Sequence, residues 1–187
     1  MLLMRELCRD DLPTINMWRV DEGTVALLGA PFRLIGPEVD EAWFDSYLGS
    51  RATNVRGVTY DDADPRTPLC LTTLACIDWV SRSAVLHVQV GNREYRGQGI
   101  GTWSVEWMLA HAFRDLGLHR IELDVLATNE TAVHLYEKCG FVREGLRRDA
   151  CFKGGKWADM ITMSVLEDEW VNPCIRGTSS NGAYVRI

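Results

Sequence analysis

The sequence lacks metal-ligand spacing. It has no C-x-x-C pair and no H-E-x-x-H motif, and its four histidines (His87, His111, His119, His134) are scattered, so no metal is expected. It also lacks any apolar run near the roughly 18 residues that a spanning helix needs. The opening "MLLMRELCRDD" meets acidic residues before a signal-type apolar core could form, so the expected location is cytoplasmic and no membrane partner is expected. The six cysteines (Cys8, Cys70, Cys76, Cys139, Cys151, Cys174) stand in a chain of 187 residues, large enough to need no disulfides. They read as reduced thiols, mostly buried.

Two nucleotide fingerprints are missing as well. In "EYRGQGIGT" (Glu94–Thr102), Thr102 stands where a G-x-G-x-x-G dinucleotide loop needs its third glycine, and Gly101-Thr102 stands where a triphosphate loop needs Gly-Lys-Ser/Thr. What is present is three alternating glycines ahead of a helical pattern. Glycine lets the backbone approach a ligand closely, and a helix start carries convergent N–H groups with partial positive charge. A phosphate is the ligand that such a turn suits, although a tight turn with no ligand has the same sequence.

The net charge of −6 is unevenly placed. Residues 1–65 hold twelve Asp and Glu against six Arg, and residues 66–187 hold fourteen acidic against fourteen basic residues. An acidic first third disfavours nucleic acid and favours a cationic partner.

No repeat, low-complexity block or linker divides the first 165 residues, so one domain is expected, over 1–170, with a loosely ordered tail at 171–187. The pattern predicts strands at 2–7, 54–60, 69–79, 83–90, around 119–127, 142–147 and 157–165, with helices starting near Asp10-Asp11-Leu12-Pro13 and spanning 40–48 and 102–116. In 83–90, Ala84, Leu86, Val88 and Val90 share one face and Ser83, Val85, His87 and Gln89 the other. Asn129 reads as the N-cap of a short helix, and Lys138-Cys139-Gly140-Phe141 as its stop. Strand, glycine turn, helix, strand and short helix in series fit a βαβ crossover with ligand groups at the strand ends.

With both signatures in view, Arg96-x-x-Gly99-x-Gly101 resembles the acetyl-CoA loop of the GNAT N-acetyltransferases, and "NETAVHLYEKCGF" resembles their second signature. The likeness runs from about Leu2 to Trp170 and is nearest the ribosomal-protein and spermidine N-acetyltransferase branch, through "RSAVLHVQV", "LGLHRIEL" and "HLYEKCGFVREG". It implies an α/β (α+β) fold with a mixed, mostly antiparallel sheet of about seven strands, flanked by helices and splayed at its centre, with a bulge near 88–90. It also implies acetyl-CoA as co-substrate. The pyrophosphate would be held by Arg96, Gly97, Gln98, Gly99, Ile100 and Gly101, and the pantetheine arm by Val88, Gln89, Val90 and Asn129. Tyr136 matches the tyrosine near the thioester sulfur.

Attack on a thioester needs a neutral amine, and an amine of pKa about 10 is about one part in a thousand neutral at pH 7. His87 is the nearest candidate base, with Glu122, Asp124, Asp78 or water as alternatives. Tyr136 would serve as general acid toward the departing thiolate. Cys139, beside the helix-ending glycine, reads as packing rather than as an acyl carrier. The acceptor is an unspecified primary amine, since Val85 replaces the glutamate that spermidine enzymes of this branch typically carry, and "LLGAPFR" has no acid. A non-catalytic acyl-CoA-binding module and a nucleotide-binding oxidoreductase are the competing readings. Trp- and Phe-rich stretches in the first third offer a candidate homodimer face.

Overall fold

Alternation within 83–90 sets the architecture, because one apolar face needs a helix layer to cover it. The computed structural model describes residues 1–91 and 93–171. In it β1 (Leu2–Glu6), β2 (Val55–Asp61), β3 (Cys70–Asp78), β4 (Ser83–Val90), β5 (Arg120–Leu126), β6 (Val142–Lys153) and β7 (Lys156–Leu166) form one seven-stranded sheet in the order β1-β2-β3-β4-β5-β7-β6. Every neighbouring pair is antiparallel except β4 with β5. That parallel pair is the expected crossover, made through α4 (Ile100–Ala110), which continues as one wide π turn over His111–Asp115. The short α5 (Glu130–Lys138) follows β5.

The helix layer over one face is apolar and dry. Val105, Met108, Leu109, Ala112 and Phe113 meet Leu86, Ile121, Leu123, Val125, Met163 and Val165, all buried. The other face is covered over β1–β3 by α1 (Leu12–Val20) and α3 (Pro37–Gly49), while a single turn α2 (Glu22–Val25) and the residues after it reach Lys153 of β6 and Met160 of β7. Over β1–β3, Trp18, Phe44 and Tyr47 pack with Ile15, Val58 and Leu71. Trp18 and Phe44 are 2% and 6% exposed, so these two aromatics build a core, while Phe32 is 41% exposed. Over β4, β5 and β7 the same face stays polar, with His87, Glu122, Asp124 and Thr162 along it.

Several expectations move by a few residues. The helix expected at 40–48 starts at Pro37, because proline's fixed φ suits a first helical position after Gly36. The strand expected at 142–147 runs on to Lys153 and turns back through Gly154 and Gly155, both at positive φ. The bulge expected near 88–90 is absent: β3 pairs regularly from Cys70↔Val90 to Ala75↔Val85, and the register shift lies instead between Ala75 and Asp78. Cys70, Cys139 and Cys151 are buried thiols, while Cys8 and Cys76 are exposed. The tail expected at 171–187 lies, beyond Val171, outside the described residues.

A small ionic lock joins β5 to the outer hairpin. Arg120 reaches both carboxylate oxygens of Glu144 (2.8 and 2.5 Å), and Ser164 donates to the same group (2.8 Å). These bonds favour the ionised form and hold Glu144 down to a pKa of about 2. Its native pKa lies below the ordinary value, so the stabilisation is full above about pH 4.5 and is lost as pH falls toward about 2. Glu144→Gln is expected to cost about 1 kcal/mol at neutral pH, given the exposure of the pair. It should also flatten the fall of Tm over that acid window, and parallel Tm–pH curves for both proteins would refute the assignment.

Candidate active site

Parallel pairing between β4 and β5 covers three residue pairs, Ser83↔Arg120, Ala84↔Ile121 and Val85↔Glu122, and then ends. Beyond Val85, β4 stays bonded to β3 and β5 stays bonded to β7, so two inner backbone edges face each other across an opening wedge. An extended ligand arm could add to the edge of Val88, Gln89 and Val90 as a strand does, through main-chain bonds.

At the mouth of the wedge stands the glycine turn. Gly97 and Gly99 have φ of +76° and +80°, left-handed values that suit glycine, and Gly99 is the N-cap of α4 without any side-chain cap. The first N–H groups of α4 are thereby left for a ligand, and no acidic side chain occupies that turn. Gly101 serves a different purpose: a Cβ there would come within 2.9 Å of Leu135 and 3.2 Å of Val90, so its absence lets α4, α5 and β4 converge. Gln98 bonds back to the carbonyl of Glu94 (2.6 Å), and Ile100 is buried. Arg96 points away from the turn's glycines, donating to Thr24 Oγ1 (2.8 Å) and the Gly91 carbonyl (3.3 Å) and so tying α2 to the loop.

The second signature forms the opposite wall. Asn129 caps α5 by accepting from the N–H of Ala132 (3.2 Å) and donates to the carbonyl of Leu27 (3.0 Å). At the other end Gly140 sits at φ +96°, and the N–H of Phe141 bonds the carbonyl of Tyr136 (3.0 Å), a Schellman-type closure. That closure sets the Phe141 ring edge-on to Tyr136, 5.7 Å away. The Tyr136 phenol is pushed well above its ordinary pKa by burial, and further by the thiols of Cys70 and Cys139. It keeps its proton throughout the physiological range.

The base candidates separate cleanly. Asp78 accepts from the N–H groups of Val80 and Ser81 at the far end of β3, away from the wedge. Glu122 is held by Arg120 (3.2 Å), and Asp124 by Arg147 and Thr162. His87 stands on the polar face, two residues beyond the last β4–β5 pair. Its imidazole lies below the ordinary pKa, chiefly through desolvation and then through the charge of Arg56, with Asp124 opposing. It is therefore neutral near pH 7, the form that accepts a proton. Cys139 is buried at the end of α5, as a packing thiol would be.

Sequence reasoning missed what steadies this wall. Lys153, on β6, donates to the carbonyls of Val25 (2.6 Å), Leu28 and Ala30 (2.8 Å), closing the end of α2. The only available signal was the short D-E-G-T start at Asp21, whose carboxylate caps Thr24 (2.6 Å). A cavity of about 640 Å³ opens elsewhere, where the last turns of α4 meet β1 and β2, with Met4, Glu6, Arg56, Trp107 and His111 in its lining. It contains none of the wedge residues named above, so strand divergence and not cavity size marks the site. Among the described residues no group of three or more His, Cys, Asp or Glu converges to hold a metal ion, and no helix is long and apolar enough to cross a membrane.

The parallel β4–α4–β5 unit splays beside a glycine-started helix, and residues 74–141 match the acetyltransferase (GNAT) family. The chain's fold follows that of the Vibrio cholerae spermidine N-acetyltransferase crystallised with CoA and spermine, with a TM-score of 0.83 and 27% identity over 90% of this chain and 96% of that one. In sequence it is 35% identical to the spermidine N(1)-acetyltransferase of Vibrio cholerae serotype O1 over 102 residues, 54% of this chain and 58% of that protein. It is 30% identical over 115 residues to YdaF of Bacillus subtilis, a protein whose name proposes a ribosomal N-acetyltransferase, covering 61% of this chain and 60% of that one. The aligned segments thus span under two thirds of these curated relatives.

Gly99→Ala is expected to destabilise the fold by about 1 kcal/mol, because an L-residue at that φ is strained. It should also weaken CoA binding about tenfold in calorimetry by disturbing the first N–H groups of α4. Gly145→Ala, where a Cβ meets nothing within 4 Å, is the control. Equal CoA affinity in all three proteins would remove the turn from the binding site.

Proposed function

We propose that this protein is an acetyl-CoA-dependent N-acetyltransferase that passes the acetyl group to a primary amine by direct attack. The observation that carries the reading is the β4–β5 wedge, with an uncapped helix start at its mouth and a protonated tyrosine in its wall. Bound acetyl-CoA would supply the activated acyl group and a thiolate leaving group. The turn from Arg96 through Gly101 would hold its pyrophosphate on main-chain N–H groups, and the free edge of Val88–Val90 would pair with the pantetheine arm.

The remaining steps fall to this chain's side chains. Neutral His87 takes the amine proton as the new C–N bond forms, and a backbone N–H of the β4 edge bonds the carbonyl oxygen as charge gathers there. Tyr136 donates toward sulfur as the C–S bond breaks. Because its pKa lies above that of a thiolate, about 8.5, complete transfer is uphill. Tyr136 therefore acts as a hydrogen-bond donor whose proton stays largely on the phenol, a weaker form of general acid. The spermidine enzymes among the relatives support polyamines as one arm of any acceptor panel.

The test is thiol release from acetyl-CoA against pooled polyamines, amino sugars, aminoglycosides, amino acids and peptides, with mass spectrometry of the products. Tyr136→Phe is expected to lower kcat about 100-fold with little change in CoA affinity. In His87→Gln the acid limb of the kcat/KM profile, expected below the usual imidazole value of about 6.5, should disappear. Undiminished turnover in either variant removes that residue's role. CoA binding with no thiol release from any amine would leave a non-catalytic binding module.

A further inference from the structure

On the polar face, Arg56 of β2 stands in register with Thr73 of β3, and Thr73 with His87 of β4, so the three side chains form one row toward the wedge. The Arg56 guanidinium lies 4.0 Å from the centre of the Trp43 ring and 4.8 Å from that of Tyr47. Its Nε and Nη1 are buried with no hydrogen-bond partner, and among the described residues the guanidinium has no ion pair. Cation–π contact recovers part of the cost of that burial, but an arginine held without a counter-anion is an unusual use of the residue.

The carboxylates of this face contrast with it. Asp124 is bridged by Arg147, Glu122 by Arg120, Asp40 by Arg19 and Asp11 by Arg5. In the first third Glu6, Asp11, Asp40, Glu41 and Asp45 all pair with arginines, and the uncompensated charge in the His87 row is positive. A polyamine needs the reverse, several open carboxylates along its length.

We infer that the acceptor is an amine that also carries an anionic group, with Arg56 receiving the anion while the amine sits between His87 and the wedge. This rests on the acetyltransferase reading above. Arg56 and His87 are two strand spacings apart, about 10 Å between backbones, which favours an amine and an anion several bonds apart.

Matched acceptors test this. Thiol release is measured with ω-amino acids from glycine to 6-aminohexanoate, their carboxamides, an aminoalkyl phosphate of equal length, and spermidine. The long ω-amino acids are expected to exceed their amides about 10- to 100-fold in kcat/KM. A higher rate with the phosphate would change the anion and keep the site. In Arg56→Met, which keeps an apolar stem against Trp43, the acid-to-amide ratio should fall to near one, and Arg56→Lys should recover part of it. Equal rates for acid and amide, a preference for spermidine, or a variant that lowers acid and amide alike would overturn the assignment while leaving the enzyme reading intact. Absence of release with every amine would overturn both.

Discussion

The three-pair limit on β4–β5 pairing is the constraint on which the rest of the structure depends. Each strand is fixed on its outer side, β4 by β3 and β5 by β7, and Leu86, Ile121 and Leu123 anchor both into the helix-covered core. Twist then carries the two strands apart without any local irregularity in β4. Unpaired strand edges on a sheet's margin invite aggregation, but these lie in its interior, where α4 and α5 limit what can reach them. The divergence also places the polar termini of α4 and α5 on opposite sides of one gap.

Electrostatics on the open face follow from a pairing rule. A chain with this excess of acid would be read as a trap for cations, yet the two β5 carboxylates nearest the wedge are paired, Glu122 with Arg120 and Asp124 with Arg147. Net charge describes the surface seen from a distance, within a Debye length or so. At contact distance the unpaired groups decide, and Arg56 is of the opposite sign to the whole.

Much of this was legible in the sequence because its carriers are local. Period-two alternation fixed β4 to the residue, and Gly140-Phe141 gave the end of α5 and hence the setting of Tyr136. What stayed hidden is long-range. The bond from Arg96 to Thr24 spans 72 residues, which no local pattern announces. The extension of β6 to Lys153 depends on pairing with β7 across a hairpin, through a segment, Arg148 to Lys153, that carries no clean alternation signal. Nothing local says that Trp18 faces Gly91, where a Cβ would lie 2.3 Å from the indole.

Lys153 carries a consequence of its own. Its ammonium gathers three carbonyls that converge from one side, and a tetrahedral group with three rotating donors suits that task. Arginine, equal in charge, would present a rigid plane to a site built for a point, and the loop through Leu27 would lose its register with Asn129. In this chain, then, the tolerance of the coenzyme-facing wall to drift is set on a hairpin strand at the far edge of the sheet, by the shape of a cation and not by its charge.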